Sequence, residues 1–233
     1  MVQLSSDRVR ARRREILHAA ANLFRERGFG ATGMRDVAAA CGMTAGNLYY
    51  YFPSKNDLLA FCQEEAVGTL LRWATHVESR SELSLEDRLF FLIAGHVICL
   101  NESYPGSLAH MQIEDLTPEW RARIVSARDE YEAVWRDLIR RGTEEGRFRA
   151  VDPRVTALGF LGAVNWTVKW YRVGGDRSAR EIAAEFGETL VRGILARPEA
   201  WRPPERILPD VNLLSPDAPG AGGDDDSRER AKA

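Results

Sequence analysis

The segment VAAACGMTAGNLYY, residues 37–50, decides how the N-terminal part of this chain folds. Its glycine, Gly42, favours the end of one short helix, because glycine readily adopts the left-handed conformation that closes helices. Thr44 follows as a typical N-cap for a second short helix. Val37 and Leu48 are the apolar residues that would pack the two helices together. The segment therefore predicts a helix-turn-helix.

The second helix of this motif has residues that suit insertion into a DNA major groove. It begins with Ala45, Gly46 and Asn47. Two small residues let the start of the helix approach the bases, and an asparagine can bind an adenine edge with two hydrogen bonds. Hydroxyl and ammonium groups nearby suit phosphates, which position a protein on DNA without reading its sequence. These groups belong to Thr44, Tyr49, Tyr50 and Lys55.

An arginine-rich stretch before the motif adds positive charge of the kind that binds the phosphate backbone. Residues 1–60 carry nine Lys and Arg against five Asp and Glu, although the whole chain has a net charge of −2. An ordinary solvated helix face would explain the arginines equally well. Core packing would explain the tyrosines, of which the spacing turns Tyr51 inward beside Phe52. The arginines are Arg8, Arg10, Arg12, Arg13 and Arg14.

Over about residues 8–60 the chain resembles the TetR family of bacterial transcriptional regulators. The resemblance implies an all-α homodimer, in which an N-terminal three-helix head binds a palindromic operator in double-stranded DNA and a C-terminal helical domain binds a small-molecule effector and dimerises. It places Thr44, Tyr49, Tyr50 and Lys55 on phosphate-contact positions, and Ala45, Gly46 and Asn47 on groove-reading positions. The runs that carry it are Gly28-Phe29-Gly30-Ala31-Thr32, Val37-Ala38, Gly42-Met43-Thr44, Gly46-Asn47-Leu48-Tyr49-Tyr50-Tyr51-Phe52, Ser54-Lys55 and Leu58-Leu59.

The rest of the chain keeps apolar residues at helical spacing, so we expect an all-α protein. We divide it into a helix-turn-helix domain (1–54), a ligand-binding and dimerisation domain (55–198) and a Pro/Gly-rich charged tail (199–233). Six of the ten prolines lie between residues 198 and 219, and such a composition cannot bury enough apolar surface to order itself. We therefore expect a largely disordered tail, with Trp201 available for partial docking.

Small residues in the last two predicted helices favour a symmetric dimer, because they allow helices to approach closely. An operator-binding head of this size also needs a second copy for affinity. The alternative is that these residues only fit crossings within one chain. They are Gly159, Gly162 and Ala163 in the first helix, and Ala183, Gly187 and Gly193 in the second.

An effector pocket is expected between the predicted helices 84–101, 118–141 and 153–172, whose stripes supply apolar and aromatic residues. Asn165 interrupts an otherwise apolar helix, and a buried amide must be paired, either within the dimer or by a ligand. A histidine on an apolar face, such as His96, is more often a satisfied core residue than a ligand contact. The predicted lining residues are His96, Met111, Tyr131, Asn165 and Trp166.

The segment 165–186 resembles a TetR branch that controls the breakdown of lipids, steroids or aromatic acids, in which several members sense acyl-CoA thioesters. The resemblance implies an effector that is hydrophobic or an acyl-CoA thioester, and, since most members are repressors, a repressor that this effector releases. A sensor of lipophilic drug-like compounds stays open. So does a DNA-binding architectural or partner-regulated protein without an effector.

Other classes find little support in the sequence. Three cysteines without a CxxC pair and four histidines without ligand spacing favour neither a disulfide framework nor a metal site, and we expect no cofactor. No nucleophile elbow, phosphate-binding glycine loop or paired-carboxylate site suggests an enzyme. The longest uncharged stretches are shorter than the ~20 residues of a membrane span, and the polar N-terminus is no signal peptide. We therefore expect a cytoplasmic protein without membrane contact.

Overall fold

The computed structural model describes residues 2–103 and 116–205, and within them the chain forms eight α-helices and no strand. The predicted all-α class is confirmed. A π-helical turn, Cys99–Ser103, follows α5, and a short 3₁₀ turn, Pro198–Ala200, follows α8. The helices are α1 Val2–Arg27, α2 Met34–Ala40, α3 Ala45–Tyr51, α4 Lys55–Ser79, α5 Leu85–Ile98, α6 Pro118–Glu144, α7 Pro153–Trp170 and α8 Ala179–Ile194.

Six helices begin at a side chain that caps them. In each case a Ser, Thr or Asp oxygen accepts a hydrogen bond from the backbone N–H three residues on, which satisfies one of the free donors of the first turn. The cap that the sequence predicts at Thr44 is confirmed. Within residues 2–103 and 116–205 the capping residues are Thr44, Ser54, Ser84, Thr117, Asp152 and Ser178.

The end of α5 differs from the regular helix that the apolar stripe predicts over 84–101. The chain leaves α-helical geometry after Ile98 and makes the π-helical turn. Within this turn the side chain of Asn101 donates hydrogen bonds to the Val97 carbonyl and to Oγ1 of Thr167, both at 2.8 Å. An amide side chain that bonds the backbone competes with the helix's own hydrogen bonds, and this accounts for the change of geometry.

Helix α5 forms the centre of the body. Every residue from Leu89 to Ile98 is buried, and α4, α6, α7 and α8 all pack on this helix. A helix that is apolar on all sides is expected in such a position. At Gly95 the backbone lies directly against the indole of Trp73, where a Cβ would come within 2.0 Å of Nε1. The same Nε1 donates to the Phe91 carbonyl at 2.8 Å.

The chain after α8 folds back onto α5. The indole of Trp201 is buried against Phe90, with ring centroids 6.2 Å apart, and its Nε1 donates to Oδ1 of Asp87 at 2.9 Å. The packing of the body thus continues beyond residue 198, while residues 206–233 of the expected tail lie outside the described residues. Within the described part of the chain, no helix combines the length and apolar content that crossing a membrane requires.

Candidate functional site

The helix-turn-helix has the turn that the sequence predicts. Gly42 adopts a φ of +63°, and the Met43 N–H donates to the Ala38 carbonyl at 2.9 Å, which closes α2. The Thr44 side chain then accepts from the Asn47 N–H at 3.2 Å and starts α3. Leu48 is fully buried and fixes α3 to the head.

The outer face of α3 carries the residues expected to contact DNA. Thr44, Gly46 and Asn47 are exposed and Ala45 is half-buried, so the start of the helix is accessible. The other exposed residues of this face are Tyr49 and Tyr50; the latter has 75% of its surface exposed. As the spacing predicts, Tyr51 is half-buried and Phe52 is buried.

Lys55 contacts other residues of the head and does not simply extend into solvent toward a phosphate. It is half-buried, its Nζ donates to the Phe29 carbonyl, and the ammonium lies 4.1 Å from the centroid of the Phe29 ring. The residue therefore ties the start of α4 to the loop between α1 and α2. Any contact with a phosphate would share an ammonium that the head already uses.

Two arginines of the N-terminal run contact other parts of the protein. Arg12 pairs with Glu15 and donates to the Cys41 carbonyl at 3.1 Å. The guanidinium of Arg13 lies 4.4 Å from the centroid of Phe61 and 4.9 Å from that of Phe52. Arg13 thus fits neither of the two explanations, a DNA-binding arm or a solvated face, because it fastens α1 to α4. Arg12 stays partly exposed while it bonds the end of α2. Arg8 is exposed.

A polar cluster joins three helices of the body, with His96 and Tyr131 buried and Asn165 half-buried. His96 on α5, which is 3% exposed, bonds through Nδ1 to the Tyr131 hydroxyl at 3.2 Å and through Nε2 to Oδ1 of Asn165 at 3.0 Å. With the Asn165 oxygen as acceptor, Nε2 carries the imidazole proton and Nδ1 accepts from the phenol. Burial raises the pKa of Tyr131 well above its usual value, so its hydroxyl stays a neutral donor.

The structure brings together three of the five predicted pocket residues, namely those of this cluster. Trp166 does not join them: 57% of its surface is exposed, on the side of α7 that faces away from the core. One residue of helical spacing separates it from Asn165, and that rotation of about 100° takes it out of the interior. Met111 lies outside the described residues. Trp135 is fully buried, and its ring centroid lies 6.0 Å from the ring centroids of both His96 and Tyr131.

An open cavity lies at a place that the sequence reasoning missed. Its volume is about 510 Å³, and it lies at the turn between α7 and α8, not between the three predicted helices. Trp170 and Phe186 stack in its wall with centroids 6.1 Å apart. The sequence signal for this place is the adjacent pair Gly174 and Gly175, since two glycines favour a turn between helices and a turn leaves room between them. The lining also includes Tyr171, Arg172, Asp176, Arg177, Ile182 and Glu185.

The small residues of the last two helices divide into two groups. Gly187 lies against Phe90, and Ala183 is fully buried, so these two serve crossings within the chain and not a dimer contact. A Cβ built at Gly159, Gly162 or Gly193 meets no described atom within 4 Å. The exposed side of α7 around the first two also carries large apolar residues, which are Val155, Leu158, Trp166 and Trp170.

A helix-turn-helix head on an all-helical body with an internal polar cluster defines the protein as a DNA-binding transcriptional regulator. Residues 16–61 match the family model described as bacterial regulatory proteins, tetR family, and residues 82–194 match the tetracyclin repressor-like C-terminal domain. The chain belongs to the TetR family of bacterial transcriptional regulators.

Several relatives and solved structures resemble the chain over most of its length. The HTH-type transcriptional repressor KstR2 of Mycobacterium tuberculosis is 28% identical over 193 residues, which cover 80% of this chain and 94% of the relative. The TetR family regulator PfmR from Thermus thermophilus superimposes with a TM-score of 0.69 at 31% identity, over 76% of this chain and 97% of that chain. AibR, solved with isovaleryl coenzyme A and operator DNA, gives a TM-score of 0.67 at 27% identity, over 77% of this chain and 98% of its own.

Proposed function

We propose that the protein is a cytoplasmic, non-enzymatic repressor that binds a palindromic operator as a homodimer and is released by a hydrophobic or acyl-CoA effector. The observation that carries the proposal is that one chain combines an exposed α3 face in the head with a polar cluster among the apolar helices of the body. The similarity to AibR, whose structure holds an acyl-CoA thioester together with operator DNA, supports the effector class.

The DNA contacts are assigned by position and exposure. Asn47 reads a base edge, Ala45 and Gly46 allow the helix start to enter the groove, and Tyr49 and Tyr50 contact phosphates. Thr44 orders the helix start as its cap, and its exposed side chain also reaches the backbone of the DNA. Lys55 contributes charge at the same edge while it holds the α1–α2 loop.

The homodimer rests on the exposed face of α7. An aromatic and aliphatic surface with two open glycines is what a closely packed symmetric helix pair requires. In such a dimer Trp166 and Trp170 are covered by the second copy, which removes large exposed apolar groups from water. We place the boundary between the head and the body at residues 54 and 55, where the cap of α4, Ser54, is followed by the first residue of the helix, Lys55.

The effector site is assigned to the His96–Tyr131–Asn165 cluster. A carbonyl or hydroxyl group of a ligand can take the place of one partner in this cluster, and the apolar helices around it accept an acyl chain. Release of DNA requires that the ligand prefers a conformation whose heads no longer fit two half-sites. A ~100-fold loss of operator affinity corresponds to about 2.7 kcal/mol of coupling, which is within the usual range.

Footprinting on the DNA upstream of the protein's own gene tests this function. The assay is run alone, with short, long and cyclic acyl-CoAs, with the matching free acids, and with lipophilic drug-like compounds. A footprint that an acyl-CoA removes supports the proposal. A footprint that only the lipophilic compounds remove favours the aromatic cavity at the α7–α8 turn as the effector site. A footprint that no compound changes favours a regulator without an effector.

A further inference from the structure

The start of α6 is bonded to the start of α4, the helix that directly follows α3. Nε1 of Trp120 donates a hydrogen bond to Oδ1 of Asp57 at 3.1 Å. This bond joins two helices of the body, directly beside the boundary with the head at residues 54 and 55. Two more polar contacts join the same parts of the two helices, an ion pair between Arg123 and Glu64 and a hydrogen bond from Arg128 to Oε1 of Gln63 at 2.8 Å.

The carboxylate of Asp57 bonds both to Trp120 on α6 and to Ser54, the cap of its own helix. Its Oδ2 accepts from the Ser54 hydroxyl at 2.7 Å, and its backbone N–H donates to Oγ of Ser54 at 3.1 Å. Ser54 is the N-cap of α4 and stands two residues after Phe52, the C-cap of α3. A displacement of Trp120 relative to Asp57 therefore acts on the junction that sets the direction of α3.

One continuous helix carries both Trp120 and Tyr131. Both lie in α6, and their separation in sequence corresponds to about three turns, or roughly 16 Å, so they project from the same side. Tyr131 bonds His96 in the polar cluster. A ligand group that replaces this bond changes how α6 sits on α5, and a stiff helix carries the displacement to its first turn.

We propose that the hydrogen bond between Trp120 and Asp57 is the contact through which the head responds to the state of the His96–Tyr131–Asn165 cluster. The inference rests on the proposed function, since it assigns the regulation of the same site. A hydrogen bond of this type weakens beyond about 3.2 Å, and helix shifts of about 1–2 Å are usual at regulated interfaces. Such a shift makes or breaks the bond, so Trp120 is a positioning residue that acts through Asp57.

The neighbouring ion pair is poorly suited to the same role. Glu64 and Arg123 are both well exposed, with 40% and 50% of their side-chain surfaces accessible. Exposed ion pairs contribute little, and long side chains in water adapt to a small shift of their helices. The pair thus provides a control contact between the same two helices.

A double-mutant cycle tests the proposal without any ligand. Trp120→Phe removes the indole donor but keeps a ring beneath the Arg123 guanidinium, which lies 4.7 Å from the Trp120 centroid. Tyr131→Phe removes the phenol. The readout is the affinity for DNA selected with the wild-type protein, and melting curves check that each variant folds. We expect Tyr131→Phe to change this affinity about five-fold in the wild-type background and less than about two-fold beside Trp120→Phe.

Glu64→Gln provides the control for this cycle. Beside Glu64→Gln, Tyr131→Phe must keep its full effect, because that variant leaves the Trp120–Asp57 bond in place. If Tyr131→Phe has the same effect in the Trp120→Phe background as in the wild type, or no effect in either, the proposal is wrong.

Isovaleryl-CoA as a probe separates this proposal from the proposed function. If the thioester binds the wild type and Trp120→Phe equally in calorimetry but releases DNA only from the wild type, both proposals stand. If it releases DNA from Trp120→Phe as well as from the wild type, the contact does not carry the response, and the proposed function is unaffected. A third outcome is that isovaleryl-CoA neither binds the wild type nor releases it from DNA, while the double-mutant cycle still shows coupling. That result rejects this effector, and the role of the Trp120–Asp57 bond stands.

Discussion

Gly187 on α8 lies directly against the ring of Phe90 on α5, and a Cβ at this position would come within 2.6 Å of the ring. The two helices cross at this contact, so α8 can approach the central helix only because position 187 has no side chain. The glycine is therefore a requirement of the monomer's core, although the sequence alone makes it equally suitable for a dimer.

Gly187→Ala should destabilise the folded protein by about 1–3 kcal/mol, because Phe90 is buried on all sides and cannot move away without strain. Gly193→Ala on the same helix is the matched control, since a Cβ there meets no described atom within 4 Å and alanine favours a helix by ~1 kcal/mol over glycine. Urea unfolding monitored by circular dichroism measures both. A Gly187→Ala midpoint equal to that of the wild type would contradict this account of the crossing.

Asn47→Ala should change base preference at one position in each half-site, by about 1–3 kcal/mol, because a bidentate side chain distinguishes one base pair from the others. The measurement is the affinity for a set of operator variants with single substitutions. Tyr50→Phe is the comparison on the same helix face and should leave the preference intact. If Asn47→Ala ranks the operator variants in the same order as the wild type does, Asn47 does not read a base.

Tyr49→Phe and Lys55→Ala should both weaken binding to every DNA sequence and flatten its salt dependence, since phosphate contacts do not distinguish bases. Only Lys55→Ala should also lower the melting temperature, because it deletes the contacts to Phe29 within the head. Binding isotherms at several salt concentrations, with melting curves, separate the two variants. If Lys55→Ala melts like the wild type, its contact to the loop contributes nothing to stability.

The buried thiols should react slowly in the native protein. Burial raises the pKa of Cys62 to about 12 and raises the pKa of Cys99 further. At pH 8 almost none of either is present as the thiolate, which is the reactive form. Cys41 is only half-buried, so, although burial also raises its pKa, iodoacetamide should modify it first. Peptide mass spectrometry follows the modification, and labelling of Cys62 as fast as in urea would argue against its burial.

The features that sequence predicts well here are those decided by near neighbours in the chain. The cap at Thr44 needs only the backbone N–H of Asn47, three residues on, which donates to its hydroxyl. Helical spacing likewise turns His96, Tyr131 and Asn165 inward on three separate helices, and the structure brings these three side chains together. Local periodicity therefore located the centre of the body without any knowledge of how the helices cross.

The features that sequence could not predict depend on partners far away in the chain. In the sequence, Arg13 belongs to an arginine-rich run of the kind that binds DNA. Only the fold shows that its guanidinium lies against the rings of Phe52 and Phe61. The π-helical turn forms where Asn101 meets Thr167, 66 residues later. The choice between Gly162 and Gly187 as dimer contacts likewise depends on a ring of α5, which the glycine pattern does not contain.

The six capped helix starts separate two properties of the fold, namely where each helix lies along the chain and which side chains it carries into the interior. Each cap is worth about 1 kcal/mol and is specified within four residues, so the length and phase of a helix are set at its ends. The side chains in the middle of the helices, such as His96 or Tyr131, can then be exchanged for others without losing the register of the scaffold. A chain built in this way can acquire a new chemical specificity inside the body while the operator-binding head stays the same. The capping residues concerned are Thr44, Ser54, Ser84, Thr117, Asp152 and Ser178.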